Sequence, residues 1–291
     1  MLALNLTAPT LQLHKSKRCL AHLELAATNK LWVTMAKDPD GLCQNFSLPL
    51  LHDLRYLLQH VKKNEGAWVH DGQTVPLHYM IMRSDHPKHF NIGGDLNHFR
   101  ACIQQKDKDG LYQYSKLCLD IIYEWATFLN RKATTIALVQ GRALGGGFEC
   151  ALSADFLIAE EHSEFGFPEI MFGLFPCTGG MSLLARRVGV YQAERMMTNG
   201  RLYAAPELKE MGVIDEICPK GQGVVTVEKF IADHAKRRIS RLMIQRSRHR
   251  IAPLDYRELL TVVDEWADIA ITLTGEQLRI MEMLALMQKN S

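Results

Sequence analysis

Apolar residues recur along the 291-residue chain in two rhythms. Short runs at Leu20 to Leu25, Leu31 to Ala36, Leu77 to Met82, Ile136 to Val139 and Phe156 to Ala159 have the length and content of strands. The first two flank Thr28, Asn29 and Lys30 and predict a hairpin. Longer stretches repeat at three and four residue steps. One comprises Leu50, Leu51, Leu54, Leu57, Leu58 and Val61, after Ser47 as a cap and with Pro49 in the first turn. Another comprises Tyr114, Leu117, Cys118, Ile121, Ile122, Trp125 and Leu129, ending before Asn130, Arg131 and Lys132. Both stripes predict helices packed as core, the second covering a sheet. The alternation of strand, crossover and strand predicts a layered α/β domain with right-handed parallel connections.

Met181 to Val188 and Gln192 to Thr198 predict two short helices. Beyond Val213, Ile214 and Ile217, the loop Pro219 to Gly223 reads as a boundary. It divides a core domain, residues 1–218, from a helical extension, residues 219–291, that is helical from Thr226 onward. Residues 1–18, ending in Lys15, Lys17 and Arg18, read as an arm or edge segment. No internal repeat suggests a solenoid.

At 47% hydrophobic and 23% charged, the chain has the composition of a folded globular protein. A net charge of +2 gives no general pull toward nucleic acid. Seven cysteines (Cys19, Cys43, Cys102, Cys118, Cys150, Cys177 and Cys218) are scattered without C-x-x-C spacing, which argues against a disulfide framework or zinc site and for a reducing cytoplasm. No apolar run has the length to span a bilayer, and no signal-peptide pattern opens the chain. The twelve histidines form no H-x-x-x-H or H-E-x-x-H pattern, so no metal is expected. No serine sits in a G-x-S-x-G setting.

The chemistry concentrates in GRALGGGFECALSADFLIAEEHSEFGFPEIMFGLFPCTGG, from Gly141 to Gly180. Gly145, Gly146 and Gly147 open a helix-compatible segment, Phe148 to Ala154, directly after a buried strand, so backbone N–H groups can face an anion or oxyanion. No GK[ST] follows and the spacing is not G-x-G-x-x-G, which disfavours a nucleotide. Glu149 falls in the first turn of that helix. Glu169 falls among Phe165, Phe167, Pro168, Ile170, Met171 and Phe172, a costly place for an unused carboxylate. On composition alone, Glu149 complementing a helix end and Glu169 pairing with an arginine stand as equal alternatives to a chemical role.

The stretch resembles the enoyl-CoA hydratase (crotonase) superfamily, whose ALGGGxE and FGxPE segments place two catalytic glutamates 20 positions apart, as Glu149 and Glu169 are. Upstream, HFNIGGDL (His89 to Leu96) is similar to that family's oxyanion segment. Within the superfamily, FNIGGDLNHF and GRALGGGFECALSADFLIAEE look most like the diffusible-signal-factor synthases, which make cis-2-unsaturated fatty acids. The resemblance implies a spiral of ββα units with a C-terminal helical extension and no cofactor. It further implies a 3-hydroxyacyl substrate linked to acyl carrier protein or CoA, homotrimers or dimers of trimers, and room for a regulatory protein partner. By position, the catalytic pair is Glu149 and Glu169, and the oxyanion donors are the Gly94 and Gly146 N–H groups. Trp266 matches a tryptophan associated with the acyl pocket, and a buried packing role is the alternative.

The α-proton of such a thioester is far less acidic than a carboxylic acid, so a glutamate removes it only if the enolate oxygen is stabilised. Each preorganised donor lowers such a barrier by roughly 3 to 4 kcal/mol. One glutamate must be ionised at C2 while the other is protonated at the C3 oxygen. By analogy with hydratases, Glu169 exchanges the C2 proton and Glu149 serves the oxygen. The rival readings are a plain enoyl-CoA hydratase/isomerase and a non-catalytic RNA- or protein-binding module. Against the plain hydratase, MAKDPDGLCQNFS (Met35 to Ser47) shows none of the familiar N-R-P segment. For the module, Lys236, Arg237, Arg238, Arg241, Arg246, Arg248 and Arg250 form a basic run without interleaved aromatics. It reads as a solvated helix face that could steer an acidic carrier protein, and no nucleic acid is expected.

Overall fold

Strands β1 (Leu6–Thr7), β2 (Leu11–Gln12), β3 (Cys19–Leu25) and β4 (Lys30–Met35) open the chain, with β3 antiparallel to the other three. A hairpin, β5 (Ala67–His70) and β6 (Gln73–Pro76), stands apart. Strand β4 continues into a parallel array through β7 (Tyr79–Ser84), β9 (Thr134–Val139), β11 (Phe156–Glu160) and β14 (Glu216–Cys218). The computed structural model describes residues 6–7, 11–12, 18–37, 44–70, 72–129 and 132–290.

The parallel strands are apolar throughout because both faces of the sheet are covered. Met80, Met82, Ala137 and Val139 face the main core, which includes Leu54 and Leu57 of helix Leu48–Lys63 and Ile121 and Ile122 of helix Lys108–Glu124. The alternate residues Tyr79, Ile81, Ile136 and Leu138 pack with Val227 and Ile231 of helix Gly223–Ala235.

A second sheet, in the order β13-β12-β10-β8, positions the site. Each of β8 (His89–Asn91), β10 (Arg142–Leu144) and β12 (Glu164–Gly166) follows a large-sheet strand after a short link, while β13 (Leu202–Ala204) pairs antiparallel at the edge. Each of the three is then followed by a helix: Leu96–Gln105, Gly146–Leu152 and the 3₁₀ turn Pro168–Phe172. This is the expected α/β crotonase-like spiral of ββα units with C-terminal helices. The registers Asn91↔Ala143 and Ala143↔Phe165 set three segments far apart in sequence side by side.

Several local expectations shift. The strand expected at Leu77 to Met82 is Tyr79–Ser84, and Phe90 lies in a strand rather than a loop. Lys30, expected in the turn, begins β4. Ser47 occupies the cap position of helix Leu48–Lys63 but makes no side-chain cap bond. The stripe through Leu129 ends in a π-helical turn, Trp125–Leu129. The helix expected from Thr226 starts at Gly223. Lys15, Lys17, Cys43, Asn130, Arg131 and most of the loop Lys37 to Gly41 lie outside the described residues. The six described cysteines are all unpaired, and no helix among the described residues is long and apolar enough to cross a membrane.

The basic run occupies helix Arg238–Ile251 and the residues just before it. Buried Asp155 ties this helix to the sheet, with Arg248 Nη2 at 3.0 Å and His249 Nε2 at 2.9 Å from its Oδ1, while Gln245 accepts from Thr134. Thr134 and Asp155 mark the N-terminal edge of the parallel strands, opposite the edge from which β8, β10 and β12 depart. Lys236 and Arg241 are engaged by Asp233. Any steering by this face acts on encounter, at the far edge of the sheet from the carboxylates.

Candidate active site

Gly93 adopts φ +92°, and its N–H donates to Asn91 Oδ1 at 2.8 Å. Phe46 N–H donates to Gly93 O at 2.9 Å, and the buried Tyr114 hydroxyl donates to Phe46 O while accepting from Asp95 N–H at 3.0 Å. Asp95 caps helix Leu96–Gln105 through the N–H groups of Asn97 and His98. Both neighbours of Gly94 are thereby fixed, while the Gly94 N–H donates to no group among the described residues. Phe99 packs on Gly94 so closely that a methyl group there would lie 2.5 Å from its ring.

The second donor comes from the glycine turn. Gly145 takes φ +51° and donates to Gly166 O at 2.9 Å, and helix Gly146–Leu152 begins at the next residue. The Gly146 N–H, a first-turn donor, has no acceptor among the described residues. The two loops touch: a methyl group built on Gly93 would lie 3.2 Å from Gly146 N. Glycine at both positions permits this approach, which sets Gly93, the neighbour of Gly94, against Gly146.

Glu149, one helical turn further, is 2% exposed. Its Oε1 accepts from Thr178 N–H at 2.9 Å and Gly180 N–H at 2.7 Å, and its Oε2 accepts from the Thr178 hydroxyl at 2.5 Å. Thr178 and Gly180 were not singled out in the sequence. The CTGG segment that carries them was the available signal, legible only once the loop after Phe172 is known to fold back over the helix.

Glu169 sits in the 3₁₀ turn closed by Gly173 at φ +82°. Among the described residues its buried Oε2 has no hydrogen-bond partner, and no basic side chain offsets its charge. The expected alternative, pairing with an arginine, is not what holds it. A methyl group on Gly145 would lie 2.3 Å from its Oε1, so the glycine turn also makes room for this carboxylate.

The environments of the two carboxylates differ in kind. Burial, then the charge of Glu149, pushes the Glu169 carboxyl up to about 8. Burial raises Glu149 as well, opposed by the Thr178 hydroxyl and the Gly180 and Thr178 N–H groups, all of which favour its ionised form. At neutral pH Glu169 therefore keeps its proton, while the bonds to Thr178 and Gly180 favour the charged form of Glu149.

This proton makes stability depend on pH. Between the ordinary value of 4.5 and about 8, the folded protein keeps a proton on Glu169 that the unfolded chain has lost. The stabilisation is fully present below the lower value and is lost as pH rises through the upper one. Glu169→Gln is expected to remove this fall, so the variant gains thermal midpoint on wild type as pH rises from about 5 to about 9. Parallel midpoint curves across that range would count against a raised Glu169.

Gly94, Gly146, Glu149 and Glu169 all line one cavity of about 590 Å³. Its walls are mainly apolar and reach into elements read from sequence as core alone: Tyr114, Cys118, Ile121 and Ile122 of helix Lys108–Glu124, and Leu51 of helix Leu48–Lys63. The periodic stripe gave no sign that one end of each helix faces a cavity. Of the apolar group after Glu169, Met171, Phe172, Leu174 and Phe175 line it. Trp266 lines it too, 3% exposed and edge-on to Phe99 at 5.1 Å, so it both packs and presents a surface to the cavity. Burial raises the Cys118, Cys150 and Cys177 thiols, which removes them as nucleophiles. No cluster of metal-binding side chains occurs among the described residues.

The chain is 43% identical over 108 residues to the mevalonyl-coenzyme A hydratase SIDH of Beauveria bassiana, covering 35% of this chain and 39% of that protein. It spans about half or less of the length of the curated relatives it matches. The fold superposes on enoyl-CoA hydratase from Bacillus halodurans with a TM-score of 0.71 at 21% identity, covering 90% of this chain and 99% of that one. It superposes on Pseudomonas aeruginosa DspI with a TM-score of 0.66 at 22% identity, covering 91% and 95%. At such identities the likeness is one of fold. The profile of the enoyl-CoA hydratase/isomerase family matches residues 74–254, more than half of the sequence and inclusive of both glutamates and both free N–H groups, and the chain belongs to that family.

Proposed function

We propose that the protein interconverts 3-hydroxyacyl and 2-enoyl thioesters, with Glu149 and Glu169 as the acid–base pair and the Gly94 and Gly146 N–H groups as the oxyanion hole. The observation that carries the reading is the meeting of two unlike buried carboxylates and two unused backbone donors on one apolar cavity. The thioester oxygen is held between the donors, where enolate charge develops. Glu169 exchanges the proton at C2 and Glu149 handles the oxygen at C3. The ligand-free state, Glu149 ionised and Glu169 protonated, is the starting state for adding water: Glu149 takes a proton from water and Glu169 delivers one to C2. Dehydration runs the same transfers backward and needs substrate to bind with the proton on Glu149.

We propose further that the physiological direction is dehydration of a CoA- or carrier-linked 3-hydroxyacyl thioester, followed by hydrolysis to a cis-2-unsaturated acid that serves as a signal. The FNIGGDLNHF and GRALGGGFECALSADFLIAEE segments support this, as does a physical economy: hydrolysis also develops negative charge on the thioester oxygen, so one hole serves both steps. Trp266 contributes to the acyl wall. Residues 1–218 form the core and 219–291 a helical extension that completes it, with Trp266 supplied from the extension. The plain hydratase remains the second reading, favoured by the ligand-free charge state. Incubation with 3-hydroxyacyl carrier protein and 3-hydroxyacyl-CoA, with mass spectrometric identification of products, separates them. Released 2-enoic acid of cis geometry is expected. Enoyl thioester alone leaves the plain hydratase, and no conversion of either substrate overturns both readings.

A further inference from the structure

Tyr114 belongs to the apolar stripe of helix Lys108–Glu124, and its ring is packed there, stacked on His98 and T-shaped to Phe99, each at 5.0 Å. Its hydroxyl reaches into the backbone ladder that carries the Gly94 N–H. Phe46 pairs in parallel with Gly94 across an isolated bridge. In such a pairing Phe46 gives its N–H to the residue before Gly94 and takes the N–H of the residue after it. The first bond is present, from Phe46 N–H to Gly93 O at 2.9 Å. The second is relayed: the Tyr114 hydroxyl donates to Phe46 O and accepts from Asp95 N–H at 3.0 Å.

The consequence falls on Gly94. Gly93 O and Gly94 N–H share one planar trans peptide and point opposite ways. Holding Gly93 O on Phe46 therefore turns the Gly94 N–H away from Phe46, while Phe99, on the helix that Asp95 caps, presses on Gly94. Tyr114 closes this frame from a third segment, 68 residues from Phe46 and 19 from Asp95. Burial keeps the phenol neutral, and the Cys118 thiol one turn on is a further, weak neighbour. A neutral hydroxyl has one hydrogen to give, and Phe46 O receives it, so none is left for a substrate although Tyr114 lines the cavity.

We propose that Tyr114 is a positioning residue of the oxyanion hole: its hydroxyl fixes the place from which the Gly94 N–H donates to the thioester oxygen. This rests on the acyl-thioester reading above. Without the hydroxyl, the buried Phe46 carbonyl and Asp95 N–H each lose a partner and the frame around Gly94 resets to recover them. The donor itself stays in the chain but moves, and a displacement of about 1 Å in such a site costs about 10²-fold in rate.

Tyr114→Phe tests this, since it keeps the ring between His98 and Phe99 and removes one oxygen. Two ligands that cannot hydrolyse separate positioning from packing: a ketone analogue of acyl-CoA, with methylene in place of sulfur, and a thioether analogue of equal length, which lacks the carbonyl oxygen. By titration calorimetry, wild type is expected to bind the ketone about 10-fold or more tightly than the thioether, because the donors have a partner only in the ketone. In Tyr114→Phe that ratio is expected to fall to about 2, with thioether affinity little changed and kcat for enoyl-thioester hydration down about 10²-fold. Partial unfolding weakens both ligands alike, so the ratio reports on folded molecules. An unchanged ratio overturns the assignment, even beside a lowered rate, because the hydroxyl then acts elsewhere than on the donor. If wild type itself shows no preference for the ketone, the oxyanion reading falls and this inference with it.

Discussion

Glu149→Gln and Glu169→Gln are each expected to lower kcat for enoyl-thioester hydration by about 10²- to 10⁴-fold, with the fold retained. Glutamine keeps volume and shape but neither takes up nor delivers a proton at the reacting carbon. At position 149 the amide oxygen can keep the Thr178 and Gly180 N–H bonds, and the amide nitrogen can donate to the Thr178 hydroxyl, so the loop that closes on the helix should stay in place. At position 169 the amide replaces a carboxyl whose Oε2 has no partner among the described residues, so little is lost in bonding. The two losses should not multiply in the double variant, because either residue alone cannot complete the transfer. Full activity in either folded variant sinks the two-carboxylate mechanism. Loss in KM alone would assign that glutamate to binding.

The unequal legibility of the site has a physical origin. Glu149, Glu169 and the three glycines could be picked out because short-range chemistry marks them: carboxylates in apolar company, and consecutive glycines where a strand meets a helix. The convergence of His89 to Leu96 with the glycine turn was legible only by resemblance, since it depends on the parallel register of β8 with β10, and no local pattern records which strands pair. Thr178 and Gly180 were not legible. Both act by folding back across 29 and 31 residues. The helix stripes were legible as buried faces, but hydrophobic periodicity cannot separate a side chain facing core from one facing a cavity. Ser47 illustrates the converse, a good cap by composition whose helix start leaves its hydroxyl out of the cap.

The glycine turn should respond to substitution by position. A methyl group on Gly146 would meet nothing closer than the Phe46 ring at 3.6 Å, an ordinary contact, and Ala keeps the N–H. Gly146→Ala is therefore expected to fold normally and hold kcat within about 10-fold of wild type, the residual loss coming from a methyl group near Glu149. Gly146→Pro removes the donor, and its kcat should fall a further 10²- to 10³-fold, roughly the effect of losing one oxyanion donor. Proline is compatible with the first helical position in itself, but Gly145 before it is restricted, so thermal midpoints must accompany the rates. Gly147→Ala should behave differently from both. Its methyl group would lie 1.9 Å from the Asn91 carbonyl oxygen, a backbone atom, so β8 must shift and carry with it the Asn91 side chain that holds Gly93. That variant is expected to lose thermal midpoint and activity together, although it leaves both proposed N–H donors in the sequence. The decisive comparison is between the two Gly146 variants at matched midpoints. Equal turnover there would show that the helix N-terminus needs no N–H from Gly146, and the oxyanion would then have to be held by Gly94 alone.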